Sequence, residues 1–295
     1  MRQVVVLSGK GGTGKTTVAA ALAHLASRDG GAVLVDADVD APNLGILLQP
    51  QIEATIPFTG GSRARVIAER CVGCGRCFDV CRFDAVTWRD GVYRIQTLSC
   101  EGCAACYYQC PEEAIAMDPC QAGEWYRSST RFGPLFHAQL FPGQENSGKL
   151  VSTVRQQAII AAAAAEAPWV IIDGAPGIGC PVIAAATGAD LAVLVTEPTM
   201  SGLHDLQRVA DLMQHLRVPP IVCLNKADLS TELADRIIAY CRQEAIPTAA
   251  HIPYDGHVQQ AMQTAKAITE LPDTPANHAM RVLWATMVEV TRATG

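Results

Sequence analysis

Val4 to Thr17 reads VVVLSGKGGTGKTT, and this stretch decides the fold. A short apolar run ends at Ser8, a glycine-rich loop follows, and Lys15-Thr16-Thr17 opens a run of small apolar residues. Gly9 to Thr16, GKGGTGKT, fits G-x4-G-K-[ST], in which backbone N–H groups surround phosphate oxygens at a helix N-terminus. Lys15 is placed to reach the β and γ phosphates and Thr16 to bind magnesium. Gly9, Lys10, Gly11, Gly12, Thr13, Gly14, Lys15, Thr16 and Thr17 form the candidate nucleotide loop.

Outward from this loop, Gln3–Leu7 reads as a strand, Thr16–Ser27 as a helix and Ala32–Val35 as a second strand. Further apolar strands are predicted at 169–172, 191–195 and 221–224, with helical stretches between them such as 203–216. Apolar strands alternating with helices imply an α/β fold with a mostly parallel, doubly wound sheet covered on both faces. The ligand is expected at the strand C-termini.

A different kind of sequence interrupts this pattern. Cys71-x2-Cys74-x2-Cys77-x3-Cys81 is followed by Cys100-x2-Cys103-x2-Cys106-x3-Cys110-Pro111, the bacterial two-cluster ferredoxin spacing written twice. Three closely spaced cysteines wrap one iron–sulfur cube from a single loop and leave its fourth corner to a distant cysteine. Cys71, Cys74, Cys77 and Cys110 are therefore expected to hold one 4Fe-4S cluster, and Cys81, Cys100, Cys103 and Cys106 the other. Zinc knuckles also use C-x2-C, but zinc gives no reason for the repeated x2-x2-x3 run. Arg82 stands where the second motif has Pro111. Val86–Arg89 and Val92–Ile95 flank the turn signal Asp90-Gly91, and 125–130 and 135–140 read as a second hairpin. The expected organisation is an inserted α+β ferredoxin-like domain at 61–121 within a discontinuous domain at 1–60 and 122–295.

Composition narrows the function classes. The chain has 295 residues, 49% hydrophobic and 18% charged, enough for one large core and a satellite domain. A net charge of -6 with no basic face argues against general nucleic-acid binding. No apolar run approaches the ~20 residues of a membrane helix, and Met1 leads into a strand without a basic leader, so a cytoplasmic protein without stable membrane insertion is expected. The stripe Met280, Leu283, Met287 and Val290 reads as core packing. Cys120, Cys180, Cys223 and Cys241 are scattered singly, as small buried hydrophobes usually are. Five lysines stand against eighteen arginines, and Lys10, Lys15, Lys149 and Lys226 are assigned to nucleotide-site loops.

With Lys10 before Gly11-Gly12, the loop resembles the deviant Walker A loop of the MinD/ParA family of P-loop ATPases, which includes the nitrogenase iron protein and Mrp-type iron–sulfur carriers. The resemblance covers most of residues 1–58 and 141–270. It implies that Lys10 crosses to the phosphates of a partner subunit, so that ATP clamps a dimer, either a homodimer or a heterodimer with a paralogous ATPase. It also implies a carboxylate near the attacking water, with Asp40 the first choice and Asp36 the second, while Asp38 caps a turn. Asp173 matches the acid that fixes magnesium through water, and 174–179 the switch that senses the γ-phosphate. Asn225-Lys226-Ala227-Asp228 resembles the base-binding N-K-x-D of GTPases, with Asp228 then pairing with guanine. In the ATPase family Asn225 contacts adenine, and Pro253-Tyr254-Asp255 resembles the loop over the base, which favours ATP over GTP. Cys180 follows Asp173 at the spacing of a bridging-cluster cysteine in the nitrogenase iron protein, but Asn146 occupies the second cysteine's place. The expected function is an ATP-binding and hydrolysing iron–sulfur protein coupling dimer closure to electron transfer or metallocluster handling with a redox or metallocluster partner. The alternative is a MinD-like positioning ATPase whose clusters sense redox state.

Overall fold

The computed structural model describes residues 1–144 and 147–293. The chain forms two compact units. The larger comprises Met1–Ile56, Trp125–Gln139 and Ser147–Gly295, and the smaller Pro57–Glu124 and Leu140–Asn146. These bounds differ from the expected 61–121. Two sixteen-residue strands, Gln51–Val66 and Ile115–Thr130, run through the expected junctions.

Along the chain the strands are β1 (Arg2–Ser8), β2 (Ala32–Asp36), β3 (Gln51–Val66), β4 (Val86–Arg89), β5 (Val92–Ile95), β6 (Ile115–Thr130), β7 (Gly133–Leu140), β8 (Trp169–Pro176), β9 (Leu191–Thr196), β10 (Pro220–Asn225) and β11 (Thr248–Ile252). The helices are α1 (Lys15–Arg28), α2 (Leu44–Leu48), α3 (Arg76–Val80), α4 (Ala105–Gln109), α5 (Ser147–Ala164), α6 (Cys180–Ala186), α7 (Met200–Leu216), α8 (Thr231–Gln243), α9 (Gly256–Gln263) and α10 (Pro275–Ala293).

The large sheet has the order β11-β10-β9-β1-β8-β2-β7-β6-β3, and β1, β2, β8, β9, β10 and β11 pair in parallel. Its central strands are continuous apolar runs because both faces are covered: Val4–Leu7 and Leu191–Ala192 have no exposed surface. Small side chains of α1, Ala19 to Ala23, let that helix pack closely, and it is buried nearly all round. Met280, Leu283 and Met287 of α10 are buried in the same core, as the striped pattern predicts. There Trp169 meets Trp284 at 4.9 Å and donates its indole N–H to Asp29 Oδ2 at 3.2 Å. Register places Asp36 of β2 beside Asp173 of β8, at the C-terminal edge of neighbouring strands. β1 lies between β9 and β8 while the chain from β1 crosses to β2, so the strand order reverses here and opens the ligand crevice.

The smaller unit repeats itself. The cysteine frames lie 29 residues apart, and the backbone follows the same interval. Gly73 and Gly102 have φ of 73° and 66°, Gly75 and Ala104 of 81° and 60°, and Asp84 and Glu113 of 49° and 46°. The five-residue helices α3 and α4 begin immediately after Gly75 and Ala104. A Cβ on Gly102 would collide with the Ser62 carbonyl, so glycine is required there. Among the described residues no helix is long and apolar enough to cross a membrane.

Candidate functional site

The loop from β1 to α1 turns through left-handed glycines, Gly12 at φ 80° and Gly14 at 92°, and α1 starts at Lys15. Asn225 reaches the loop from the end of β10 and donates its side-chain amide to the Thr13 carbonyl at 2.7 Å. A Cβ on Gly14 would strike that amide. Lys15, 7% exposed, pairs with Asp173, 1% exposed, at 2.7 Å. Asp36 lies alongside, its Oδ1 accepting from Asp38 N at 3.2 Å and its Oδ2 from Leu44 N at 3.0 Å. Burial and the adjacent Asp173 charge push the Asp36 carboxyl up to about 8. Two buried oxygens here lack a partner among the described residues, Thr13 Oγ1 and Asp173 Oδ2. An unpaired buried carboxylate oxygen is costly, and its place beside a phosphate loop fits a magnesium–nucleotide ligand.

The other predicted residues fall around this centre. Asp38 closes a turn, its Oδ1 accepting from Ala41 N at 3.3 Å, while Asp40 is exposed on the bend after β2. Asp228 Oδ1 accepts from the Tyr254 N–H at 2.7 Å, fastening the Pro253-Tyr254 segment to the end of β10. Asp255 caps α9 through His257 N at 2.9 Å. Lys149 departs from its expected place, lying in the first turn of α5 beside a cavity also lined by Arg155 and Cys180. Cys180 is exposed and close to Gly148, while Asn146 lies outside the described residues. Cys223 and Cys241 are buried thiols.

Lys10 has partners that sequence reasoning missed. Its ammonium pairs with Glu197 Oε1 at 2.7 Å and donates to Ser201 Oγ at 3.0 Å and Thr199 Oγ1 at 3.4 Å. Lys226 takes the other Glu197 oxygen at 3.2 Å. Burial works against the charged form of Glu197, but hydrogen bonds and charge from both lysines hold its carboxyl below the usual range. The available signal was an acid immediately after an apolar parallel strand, at the edge where α/β proteins bind ligands.

In the smaller unit the cysteines sort into two small cavities. One is lined by Cys71, Cys74, Cys77 and Cys110, the other by Cys81, Cys100, Cys103 and Cys106. Each draws three thiols from one frame and one from the other. Among the described residues no group of three or more His, Cys, Asp or Glu converges on a single-ion position. Burial pushes the Cys77 thiol up to about 11, so the uncoordinated thiol is protonated at neutral pH.

A phosphate loop at the switch point of a parallel sheet, with a buried lysine–aspartate pair behind it, defines a nucleotide-binding P-loop protein of the α/β class. The model for the CobQ/CobB/MinD/ParA nucleotide binding domain matches residues 4–268, and the chain belongs to that family. It is 33% identical over 228 residues to an uncharacterized protein of Methanocaldococcus jannaschii, covering 77% of this chain and 79% of that one. An uncharacterized ferredoxin of the same organism is 39% identical over 51 residues, covering 16% of this chain and 66% of the ferredoxin. Among solved structures, the septum site-determining protein MinD of Pyrococcus horikoshii, complexed with Mg-ADP, is 18% identical. It covers 100% of this chain and 98% of its own with a TM-score of 0.60, a likeness of fold.

Proposed function

We propose that this chain is an ATP-binding and hydrolysing iron–sulfur protein in which nucleotide-driven closure of a dimer is coupled to electron transfer or metallocluster handling with a partner protein. The observation that carries this reading is the division of eight cysteines into two four-thiol cavities, in the same chain as the phosphate loop and its buried Lys15–Asp173 pair. A four-iron cube takes four thiolate ligands, and four cysteines line each cavity. The ferredoxin relative lends the reading further support. Two 4Fe-4S clusters would supply one-electron carriers.

At the nucleotide site, Thr16 and the unpaired Asp173 oxygen are the groups offered to magnesium, and Lys15 is the cation for the β and γ phosphates. Asp40, exposed after β2, remains the first choice to orient water, with Asp36 second. Asn225 and the Pro253-Tyr254 segment cover the base. One Asp228 oxygen is engaged by the Tyr254 backbone, which leaves it less free to pair with guanine and favours ATP.

The test is the hydrolysis rate of ATP and GTP by anaerobically purified protein with iron quantified, compared between oxidised and dithionite-reduced samples. Cluster midpoints are read with and without nucleotide. A tenfold nucleotide preference for one redox state moves a one-electron potential by about 59 mV. Identical rates, midpoints and partner affinities overturn the coupling. A second reading, a positioning ATPase with redox-sensing clusters, draws on the full-length likeness to MinD. Polar or oscillating foci of tagged protein that persist without the cluster cysteines favour it.

A further inference from the structure

The ammonium of Lys10 has three donors, and all three are answered within its own chain: the Glu197 carboxylate, the Ser201 hydroxyl and the Thr199 hydroxyl. The segment that presents these acceptors is tightly built. Thr199 caps α7 by accepting from Gly202 N at 2.9 Å, and Thr196 Oγ1 donates to the Gly202 carbonyl at 3.0 Å. A Cβ on Gly202 would collide with the Glu197 carbonyl, so the turn admits no larger residue there. On the other side, Gly9 packs so closely against Asp205 of α7 that a side chain at Gly9 would also collide. The base of the phosphate loop and the start of α7 are thus held together, with the Lys10–Glu197 pair above the contact.

Glu197 has a second client. Lys226 follows Asn225, whose amide holds the Thr13 carbonyl, and precedes Asp228, whose carboxylate holds the Tyr254 backbone. One carboxylate therefore joins the lysine of the phosphate loop to the segment assigned to the nucleotide base. With both oxygens taken, each lysine competes for the same negative charge.

We propose that Glu197 is a positioning residue that latches Lys10 to its own chain and releases it for a partner subunit's phosphates when nucleotide occupies the site, with Lys226 carrying base occupancy to the latch. This rests on the dimer-clamp reading of Lys10 and adds what restrains that lysine beforehand. A Lys10 side chain that crosses to another subunit must give up the Glu197 pair and both hydroxyls, so the latch opposes dimer formation. Charge-assisted hydrogen bonds are the strong ones, so their loss is measurable.

The experiment is sedimentation of the full chain, reconstituted with iron, against protein concentration, with magnesium and a saturating non-hydrolysable ATP analogue. Wild type, Glu197→Gln, Lys10→Ala and the double variant are compared, with nucleotide affinity of the monomers measured separately. The expected result is that Glu197→Gln dimerises at about tenfold lower concentration, and that its monomer binds the analogue more tightly, because a latch opened by nucleotide also opposes nucleotide. The double variant is expected to be as monomeric as Lys10→Ala, which excludes a Glu197→Gln dimer built on another surface, and Glu197→Asp, which keeps the charge, separates the latch from a merely structural role. Should Glu197→Gln lower the folded fraction in a thermal melt, Glu197→Asp is expected to restore wild-type dimerisation. If Glu197→Gln dimerises as wild type or more weakly, while Lys10→Ala abolishes the dimer, the latch is wrong and the clamp stands. Absence of a nucleotide-dependent dimer in wild type, or its persistence in Lys10→Ala, overturns the clamp and the latch with it.

Discussion

The larger unit and the cysteine-bearing unit solve the problem of a core in opposite ways. The first packs apolar strands and helices until Val4, Leu22, Leu34, Leu191 and Ile221 have no exposed surface. The second has one small buried cluster, Ala64, Cys77, Val86 and Ile115, and the side chains packed against these include Cys81, Cys100, Cys106 and Cys110. Large apolar groups there stay in solvent: Phe78 is 55% exposed, Tyr108 80% and Leu98 94%. Burial stabilises the first unit at about 25 cal/mol per Å² of apolar surface. The second has too little such surface, and small units of this kind need a metal or covalent staple. Its cysteines occupy the place of a core, so on the proposed iron–sulfur reading bonds to iron would do there what leucine and valine do elsewhere.

The sharpest way to break this contrast is to remove the iron that the proposed clusters would hold. Chelation, or the pair Cys77→Ser with Cys106→Ser, is expected to abolish amide protection throughout the smaller unit, while the larger unit keeps its protection and its affinity for Mg-ATP. Amide hydrogen exchange of the iron-loaded and iron-free chains measures this, and a smaller unit that stays protected without iron ends the staple argument.

Next in size is a change confined to the larger unit. Lys15→Ala leaves Asp173 buried without its cation beside Asp36, and a broken buried pair costs about 3–5 kcal/mol. Chemical denaturation should show that loss, together with loss of nucleotide binding, while the cluster absorbance is unchanged. An unaltered midpoint would mean that the pair contributes no stability.

A smaller effect follows pH. Burial lowers His137, hydrogen-bonded to Ser128 at 2.9 Å, from 6.5 to about 4. The depressed value means that the unfolded chain takes up the proton first as pH falls. The contribution of His137 is therefore complete above pH 6.5 and lost as pH drops towards 4, by about 1–2 kcal/mol for a ring partly in contact with solvent. Melts of wild type and His137→Gln at both ends of that window should differ in slope, and parallel curves would remove the assignment. The smallest effect compares the two cysteine frames. Ala104 adopts the left-handed conformation that Gly75 occupies in the first frame, so Ala104→Gly should stabilise the smaller unit by about 0.5–1 kcal/mol.

Legibility in the sequence followed the range of the interactions. Strands β1, β2, β8, β9 and β10 were visible because strands covered on both faces are runs of apolar residues. The hairpin of β4 and β5 was visible because Asp90-Gly91 is a turn signal. β3 was not, because QIEATIPFTGGSRARV carries a proline and a Gly-Gly pair, both of which argue against a strand. Its place at the edge of the sheet tolerates them. The first half of β6 was hidden for a similar reason, since Pro119 lies inside it. Lys149 was assigned by residue type alone and is on a helix.

By itself the sequence determined the phosphate loop and the two cysteine frames, since both rely on backbone turns and spacings within about a dozen residues. It also determined the parallel α/β class, since a fully covered strand must be apolar along its whole length. Only the tertiary structure decided that Asp36 and Asp173 share one buried site with Lys15, and that Glu197 stands between Lys10 and Lys226. Those groups are separated by up to 187 residues between Lys10 and Glu197. A charge's partner is chosen by the strand register and loop packing that bring it within hydrogen-bond reach, and no local pattern encodes that distance.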